Sequence, residues 1–231
     1  MNTLVFDTAS KIEIIAAAAG GESAGASASV GTSHSVKLLE NIDGCLRKIG
    51  LVLADIDCIG VGIGPGSFTG IRIAVTTARM LSQLTRKPLV GLASQILYAA
   101  AVPAEPGENI IVAFDAKKSR VFGALYRKTA DPMNPVEVVP PGDYPIGRLL
   151  GGIDPGRLTH LVGDGTEKYL DDIAASAGGH ERHVGFIPPA HIVCGLVRER
   201  FGKNPAGYAD YRGVLPFYAR KSDAEAARDG A

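Results

Sequence analysis

Apolar residues along this chain recur in two rhythms, and the changes from one to the other mark out most of its elements. Leu4-Val5-Phe6 ends on Asp7, a polar turn of Thr8-Ala9-Ser10-Lys11 follows, and Ile12 to Ala18 is apolar again. That order predicts a hairpin. The small, polar run from Gly20 to Ser29 is read as a third, weak strand. From Ser35 to Ile49 the rhythm changes: Leu39, Ile42, Leu46 and Ile49 recur at spacings of three, four and three, with Ser33 in capping position and Gly50 as a stop. The prediction is an amphipathic helix. Cys58 to Ile63 then alternates Ile59, Val61 and Ile63 with Gly60 and Gly62, which predicts a buried strand with one face of bare backbone where another element packs closely.

After Gly64-Pro65-Gly66-Ser67-Phe68-Thr69-Gly70, a second helix is predicted from about Ile71 to Thr85, ending before Lys87-Pro88. Gly70, Ala74 and Ala78 fall every four residues and form a small-residue face, while Ile71, Val75 and Leu81 to Leu84 add bulk beside it. Two faces of this helix therefore call for burial. Leu89 to Leu92 reads as a strand and Gln95 to Val102 as a short helix, before Pro103 to Gly107 breaks the pattern. The second half repeats the opening: Asn109 to Phe114, a polar turn from Asp115 to Arg120, and Val121 to Tyr126 again read as strand, turn and strand. Val136 to Val139 and Leu161-Val162 are further apolar segments, and Glu167 to Ala177 and Ala190 to Phe201 are helical candidates. This echo predicts duplicated lobes, 1–104 and 105–221, followed by a polar, alanine-rich tail over 222–231.

Composition narrows the function classes. The 231 residues are 46% hydrophobic and 21% charged, so the chain folds rather than remaining disordered. Lys and Arg number 24, as do Asp and Glu, and residues 1–100 hold 8 basic and 7 acidic groups. Neither half is a basic lobe, which argues against unaided binding to nucleic acid. Cys45, Cys58 and Cys194 are widely spaced and form no C-x-x-C, so neither a disulfide framework nor a zinc knuckle is expected. No segment approaches the ~20 apolar residues that cross a bilayer, and the start lacks a signal-peptide pattern. A soluble, cytoplasmic protein is expected.

Candidate chemistry centres on the glycine-rich turn. Gly64, Gly66 and Gly70 lie between a strand and a helix, where backbone N–H groups can cradle an anion. The spacing is neither a P-loop nor G-x-G-x-x-G, and a tight turn with close helix packing explains the same glycines equally well. Asp7 and Thr8 at the end of the first strand suit a magnesium ion and a nucleotide phosphate, with Asp115 in the matching turn of the second half. Taken alone, each Asp reads more simply as a turn residue. Ser67 reads as a helix cap rather than a nucleophile. The histidines at 34, 160, 180, 183 and 191 form no H-E-x-x-H or H-x-x-x-H, and the pair His180 and His183 falls in an expected exposed loop, so no metal site is predicted. No complete catalytic set emerges. The first helix, by contrast, carries Val36, Leu38 and Leu39 beyond its core stripe, and this surplus apolar surface points to a partner.

The run from Gly64 to Ile73, preceded by Asp7-Thr8 and by His34-Ser35 with Leu38-Leu39, resembles the TsaB (YeaZ) family. Phe114-Asp115-Ala116-Lys117, Gly163-Asp164-Gly165, Pro188-Pro189-Ala190 and Pro216 to Arg220 extend the likeness over nearly the whole chain. Ala74 stands where the family usually has Gly. The resemblance implies an α/β, two-lobed, actin-like (ribonuclease-H-like, ASKHA) fold with mixed sheets flanked by helices. It also implies a non-catalytic accessory role in making N6-threonylcarbamoyladenosine at position 37 of tRNA. TsaB proteins are relatives of the transferase TsaD, which carries the metal-binding histidines; they pair with it through the N-terminal lobe, and an ATPase, TsaE, joins them. On this basis the first helix would meet TsaD through His34, Leu38, Leu39 and Ile42. The second would use Gly70, Arg72, Ile73, Ala74, Thr77, Ala78 and Leu81, and Ala74→Glu or Leu39→Asp would break the pairing in a folded monomer. Asp7, Thr8, Gly64, Gly66 and Ser67 would be a vestigial nucleotide site. No cofactor is expected, apart from ATP or ADP at a partner interface. Without TsaD the same surface would form a homodimer, and tRNA would be met only through the complex. The competing expectation is a stand-alone enzyme, either a nucleotide-dependent transferase or a glycoprotease-like metallopeptidase.

Overall fold

The computed structural model describes residues 1–29 and 34–220, without the side chains of 28–29 and 34–36. The expected cap Ser33 and the tail 222–231 lie outside the described residues. Ten strands form two five-stranded sheets. The first half runs β1 (Thr3–Asp7), β2 (Ile12–Ala19), β3 (Glu22–Ser29), α1 (His34–Arg47), β4 (Cys58–Gly62), α2 (Phe68–Thr85), β5 (Leu89–Leu92) and α3 (Ser94–Ala101). The second runs β6 (Asn109–Asp115), β7 (Val121–Arg127), β8 (Val136–Tyr144), α4 (Ile146–Leu150), β9 (Thr159–Val162), α5 (Asp164–Lys168), α6 (Leu170–Ser176), β10 (His180–His183) and α7 (Ala190–Lys203).

The sheet orders, β3-β2-β1-β4-β5 and β8-β7-β6-β9-β10, are the same arrangement used twice. In each, two antiparallel pairings open the sheet, and the fourth and fifth strands join it in parallel. The duplication expected from the polar turns at Asp7 and Asp115 is therefore a duplication of topology. Four elements differ from expectation. The predicted 167–177 helix is two short helices that break at Tyr169. The α4 turn was not anticipated. β8 runs on through Pro140-Pro141, which it can do because it is an edge strand and the missing N–H groups cost it no ladder partner. His180–His183 is a strand and not a loop.

Three helical layers enclose the two sheets. α1 and α2 cover one face of the first sheet, joining Leu38, Ile42, Leu46, Ile71, Val75 and Leu81 to Leu4, Phe6, Ile59 and Val61. α4 and α6 cover the outer face of the second around Leu125, Leu149, Leu161 and Ile173. Between the sheets lie α3 and α7, where Leu97, Tyr98, Val193 and Val197 meet Val5, Ile14, Ile110, Val112 and Phe114 in one continuous core. α7 follows the last strand of the second sheet yet packs on β1 to β5 of the first, while α3 packs on β6 and β7. The break after residue 104 thus separates the sheets, but the stretch 105–221 contains the helix that seals the first lobe. Buried Lys128 reinforces the exchange, its Nζ donating to the carbonyls of Ala100 (3.0 Å) and Val102 (2.8 Å) where α3 ends. The bare face foreseen on β4 is where α7 arrives, since a Cβ on Gly60 would strike Val197.

Cys45, Cys58 and Cys194 are free and buried, and burial pushes the thiols of Cys58 and Cys194 up to about 12, leaving them unreactive. No helix among the described residues is long and apolar enough to cross a membrane.

Val197→Ala removes two methyl groups from the fully buried contact between α7 and β4. It is expected to lower unfolding free energy by about 1 to 2 kcal/mol in urea titration, with an unchanged m-value.

Candidate functional site

The glycine-rich turn and α2 lie directly on the turn that ends β1. A Cβ on Gly70 would run into the carbonyl of Thr8, and one on Gly66 into the carbonyl of Ala9. Hydrogen bonds fasten the two segments: Ser67 N donates to Ala9 O (2.7 Å), and Thr8 Oγ1 donates to Gly70 O (2.6 Å). Ser67 caps α2 as expected, its side chain accepting from Gly70 N. Of the two readings of these glycines, close packing is the one the geometry supports. Side chains at Gly66 and Gly70 would strike the backbone of Ala9 and Thr8.

Asp7 and Thr8 are consequently sealed, each 2% exposed. Oδ1 of Asp7 accepts from Ala9 N at 2.7 Å, whereas the buried Oδ2 has no partner among the described residues. Burial dominates here and pushes the Asp7 carboxyl above its ordinary range, against backbone hydrogen bonds that favour the charge. Asp115, in the equivalent turn, is half-buried on the wall of the cleft. Burial works against its charge, but Lys168 Nζ at 2.8 Å and the Lys117 N–H at 3.0 Å outweigh it and hold the carboxyl below the usual range. Lys11 reaches from the first turn to Asp164 at 2.7 Å and ties the lobes together.

Between the lobes is a cleft of about 420 Å³, lined by Ser67 and Phe68 from the first lobe, Asp115 and Lys117 from the second, and Tyr218 and Arg220 from the C-terminal strap. The strap is held firmly. Phe217 N donates to Ile63 O (2.8 Å), Arg220 Nη2 donates to Ala116 O (2.8 Å), and Tyr218 stacks on Phe68 with ring centroids 4.6 Å apart. Arg72 lies over Phe68, 3.9 Å from its centroid, and donates through Nε to Tyr218 Oη (2.9 Å). One of the expected partner-binding residues is therefore engaged in holding the strap. Among the residues foreseen as a nucleotide site, Gly64 and Gly66 are also buried, and only Ser67 is exposed.

The helix surfaces divide in a way the sequence reading did not foresee. Leu38, Ile42, Gly70, Ala74, Ala78 and Leu81 are all buried in the first lobe's own core, 4% exposed or less where a side chain is counted. The small-residue face lets α2 approach its own sheet, so these six cannot meet a partner from their present positions. Likewise, Ala74→Glu would bury a charge in a full core rather than leave a folded monomer. What remains accessible is Leu39 on α1, 49% exposed, and a stripe on α2 at Ile73, Thr77, Met80 and Leu84. The spacings of four, three and four put these residues on one line along the helix, away from the buried face. Met80 and Leu84, absent from the sequence-based list, are 41% and 72% exposed. Their helical spacing with Ile73 was the available signal. His34 begins α1, and its side chain is outside those described.

Duplicated five-stranded mixed sheets that exchange their last helices across a common cleft define the two-lobed, actin-like (ribonuclease-H-like) class. Within it, the chain is similar to TsaB (YeaZ) proteins in fold and in sequence. YeaZ from Pseudomonas aeruginosa superposes with a TM-score of 0.77 over 94% of this chain and 99% of that one, at 21% identity. A second Pseudomonas aeruginosa structure, described as similar to peptidase YEAZ, gives 0.79 over 95% and 99% at 22% identity. In sequence, the tRNA threonylcarbamoyladenosine biosynthesis protein TsaB of Bacillus subtilis is 26% identical over 84% of this chain and 82% of its own length. The Escherichia coli protein of that name is 30% identical over 41% of this chain and 42% of its own length. The match thus spans about two fifths of that curated relative, and the same holds for the Haemophilus influenzae one. The family profile described as "TsaD: tRNA N6-adenosine threonylcarbamoyltransferase" matches residues 28–140.

Because the folded state favours the protonated form of Asp7, the charged form costs stability above its raised pKa, and this cost vanishes below the ordinary carboxylate range. Asp7→Asn is expected to raise the melting temperature at neutral pH, with the gap to the native chain closing as the pH falls into that range. Thermal unfolding followed across pH checks both the sign and the window.

Proposed function

We propose that this chain is a cytoplasmic, non-catalytic accessory subunit of the tRNA threonylcarbamoyladenosine system that docks on a TsaD-type transferase through its N-terminal lobe. The observation that carries this reading is the exposed pair Met80 and Leu84 on α2, in line with half-buried Ile73 and Thr77, with exposed Leu39 on α1, on a lobe whose candidate acid Asp7 is sealed from ligand. Isolated exposed leucines are ordinary on a protein surface, but Met80 and Leu84 lie one turn apart on 18-residue α2, in line with half-buried Ile73. A stable pairing buries about 800 Å² per partner around such a centre. The names of the relatives supply the pathway. A stand-alone nucleotide-dependent transferase would need Asp7 and Thr8 to face a ligand, which their burial opposes. On the proposed reading the cleft between the lobes holds no nucleotide for chemistry, ATP or ADP entering only at a partner interface. TsaE joins the assembly, tRNA is met through the complex, and the chain pairs with a second copy when TsaD is absent.

The test combines binding with reconstitution. Leu84→Asp and Leu39→Asp alter exposed positions, so each variant is expected to melt within a degree or two of the native chain. Each should bind the transferase at least tenfold more weakly in gel filtration and calorimetry. In a reconstituted tRNA modification assay the native chain alone should transfer nothing, yet raise the yield when added to the transferase, and Leu84→Asp should not. Turnover by the isolated chain, or full affinity in both variants, would sink the reading.

A further inference from the structure

At the free end of β9, side chains far apart in sequence converge on one face of the second sheet. β10 pairs with β9 in parallel so that Glu181 stands opposite His160, and His183, two residues on, shares that face. β6 flanks β9 on its other side with Ile110 opposite His160, so Glu108, two residues before Ile110, lies on the same face. His160 Nε2 is 2.8 Å from Glu108 Oε2, and its Nδ1 is 2.9 Å from His183 Nε2. Glu181 Oε2 lies 3.9 Å from His160 Nδ1, and its Oε1 lies 3.9 Å from His183 Nε2. His160 is 1% exposed, and Phe186 packs edge-on against His183 with centroids 5.6 Å apart. Among the described residues this is the only group of three or more His, Cys, Asp or Glu whose ligand atoms lie within reach of a common ion.

We propose that His160, His183 and Glu181 form a divalent transition-metal site, suited best to zinc, which ties the edge strand β10 to β9. Two imidazoles and a carboxylate are a borderline donor set that favours zinc over magnesium or calcium, with a solvent molecule as the fourth ligand. A tetrahedral ion with bonds near 2.0 to 2.1 Å separates its ligand atoms by about 3.3 Å. The present separations, 2.9 Å between the ring nitrogens and within 4.8 Å to a carboxylate oxygen, bracket that value, so the rings need to open, and the carboxylate to close, by about 1.5 Å or less. Glu108 has the position of the carboxylate that orients a metal-binding histidine. By accepting the Nε2 proton of His160 it leaves the Nδ1 lone pair facing the site. In the metal-free state His183 Nε2–H donates to that lone pair. When the ion enters, His183 carries its proton on Nδ1 instead, and both rings stay neutral. The site serves an element that needs it. β10 has only four residues, three of them exposed, and a single neighbouring strand.

The experiment uses the full, tag-free chain stripped with chelator and titrated with Co²⁺, then with Zn²⁺ in competition. One equivalent of Co²⁺ per chain should develop the intense visible bands of a four-coordinate ion, and Zn²⁺ should displace it. His183→Ala should weaken binding at least tenfold. His180→Ala, on the opposite face of β10, should leave binding unchanged. Glu181→Gln alters a side chain that is 55% exposed and should weaken binding several-fold in a chain that melts like the native one, which covers the case of a misfolded His183→Ala. Zn²⁺ should also slow amide exchange in β10. Absence of saturable binding up to about 100 μM metal, or binding unaffected by His183→Ala and Glu181→Gln, would overturn the proposal.

Discussion

The closeness with which the Gly64–Gly70 turn lies on the end of β1 constrains everything around it. Backbone meets backbone there, with Ser67 N on the carbonyl of Ala9 and the Thr8 hydroxyl on the carbonyl of Gly70. The contact fixes the start of α2, and with it the rotation of that helix about its own axis. Gly70, Ala74 and Ala78 are thereby turned onto the sheet, which leaves Met80 and Leu84 facing water. The same contact closes over Asp7. The first turn is packed against its own chain, while the second, at Asp115, borders the cleft and is paired with Lys168. The two halves share one topology and differ in what they leave exposed.

Much of this was legible in the order of residues. The hairpins at Asp7 and Asp115, the buried strand around Val61, the Ser67 cap and the helix after it all come from local periodicity and punctuation, signals that need no knowledge of the rest of the chain. The misreadings share one cause, because a helical or strand period shows that a face is buried without showing against what. Leu38 reads as surplus surface, and the small residues of α2 as a face for a partner, because the sheet they cover lies elsewhere in sequence. His180 and His183 were paired by their spacing of three, whereas in a strand it is residues two apart that share a face, so Glu181 joins His183 and His180 turns away. The echo between the halves held the remedy. A duplicate of the first sheet requires a fifth strand after β9, and His180–His183 is the segment left to supply it.

Chemical character follows the same division between local and distant. Residue counts alone show the neutral charge balance, whereas the burial that silences Cys58 and Cys194 appears only in the fold. The gathering of Glu108, His160, Glu181 and His183 depends on the register of three strands, two of them formed more than 40 residues after the first. Such a cluster has no linear signature. It is visible only once the parallel pairing aligns the pleats.

The position of α7 bears on how this molecule is made. Val5, Ile14, Ala16 and Val90 face α7 and α3, and the segment that covers them spans residues 190–203, near the end of the chain. During synthesis the first sheet therefore emerges from the ribosome with one greasy side uncovered, and it stays so until residues 190–203 have been made. Vectorial, lobe-by-lobe maturation is closed to this architecture. The nascent amino-terminal half must be shielded by chaperones or remain loosely formed, and a ribosome that stalls within the second half releases a product prone to aggregate.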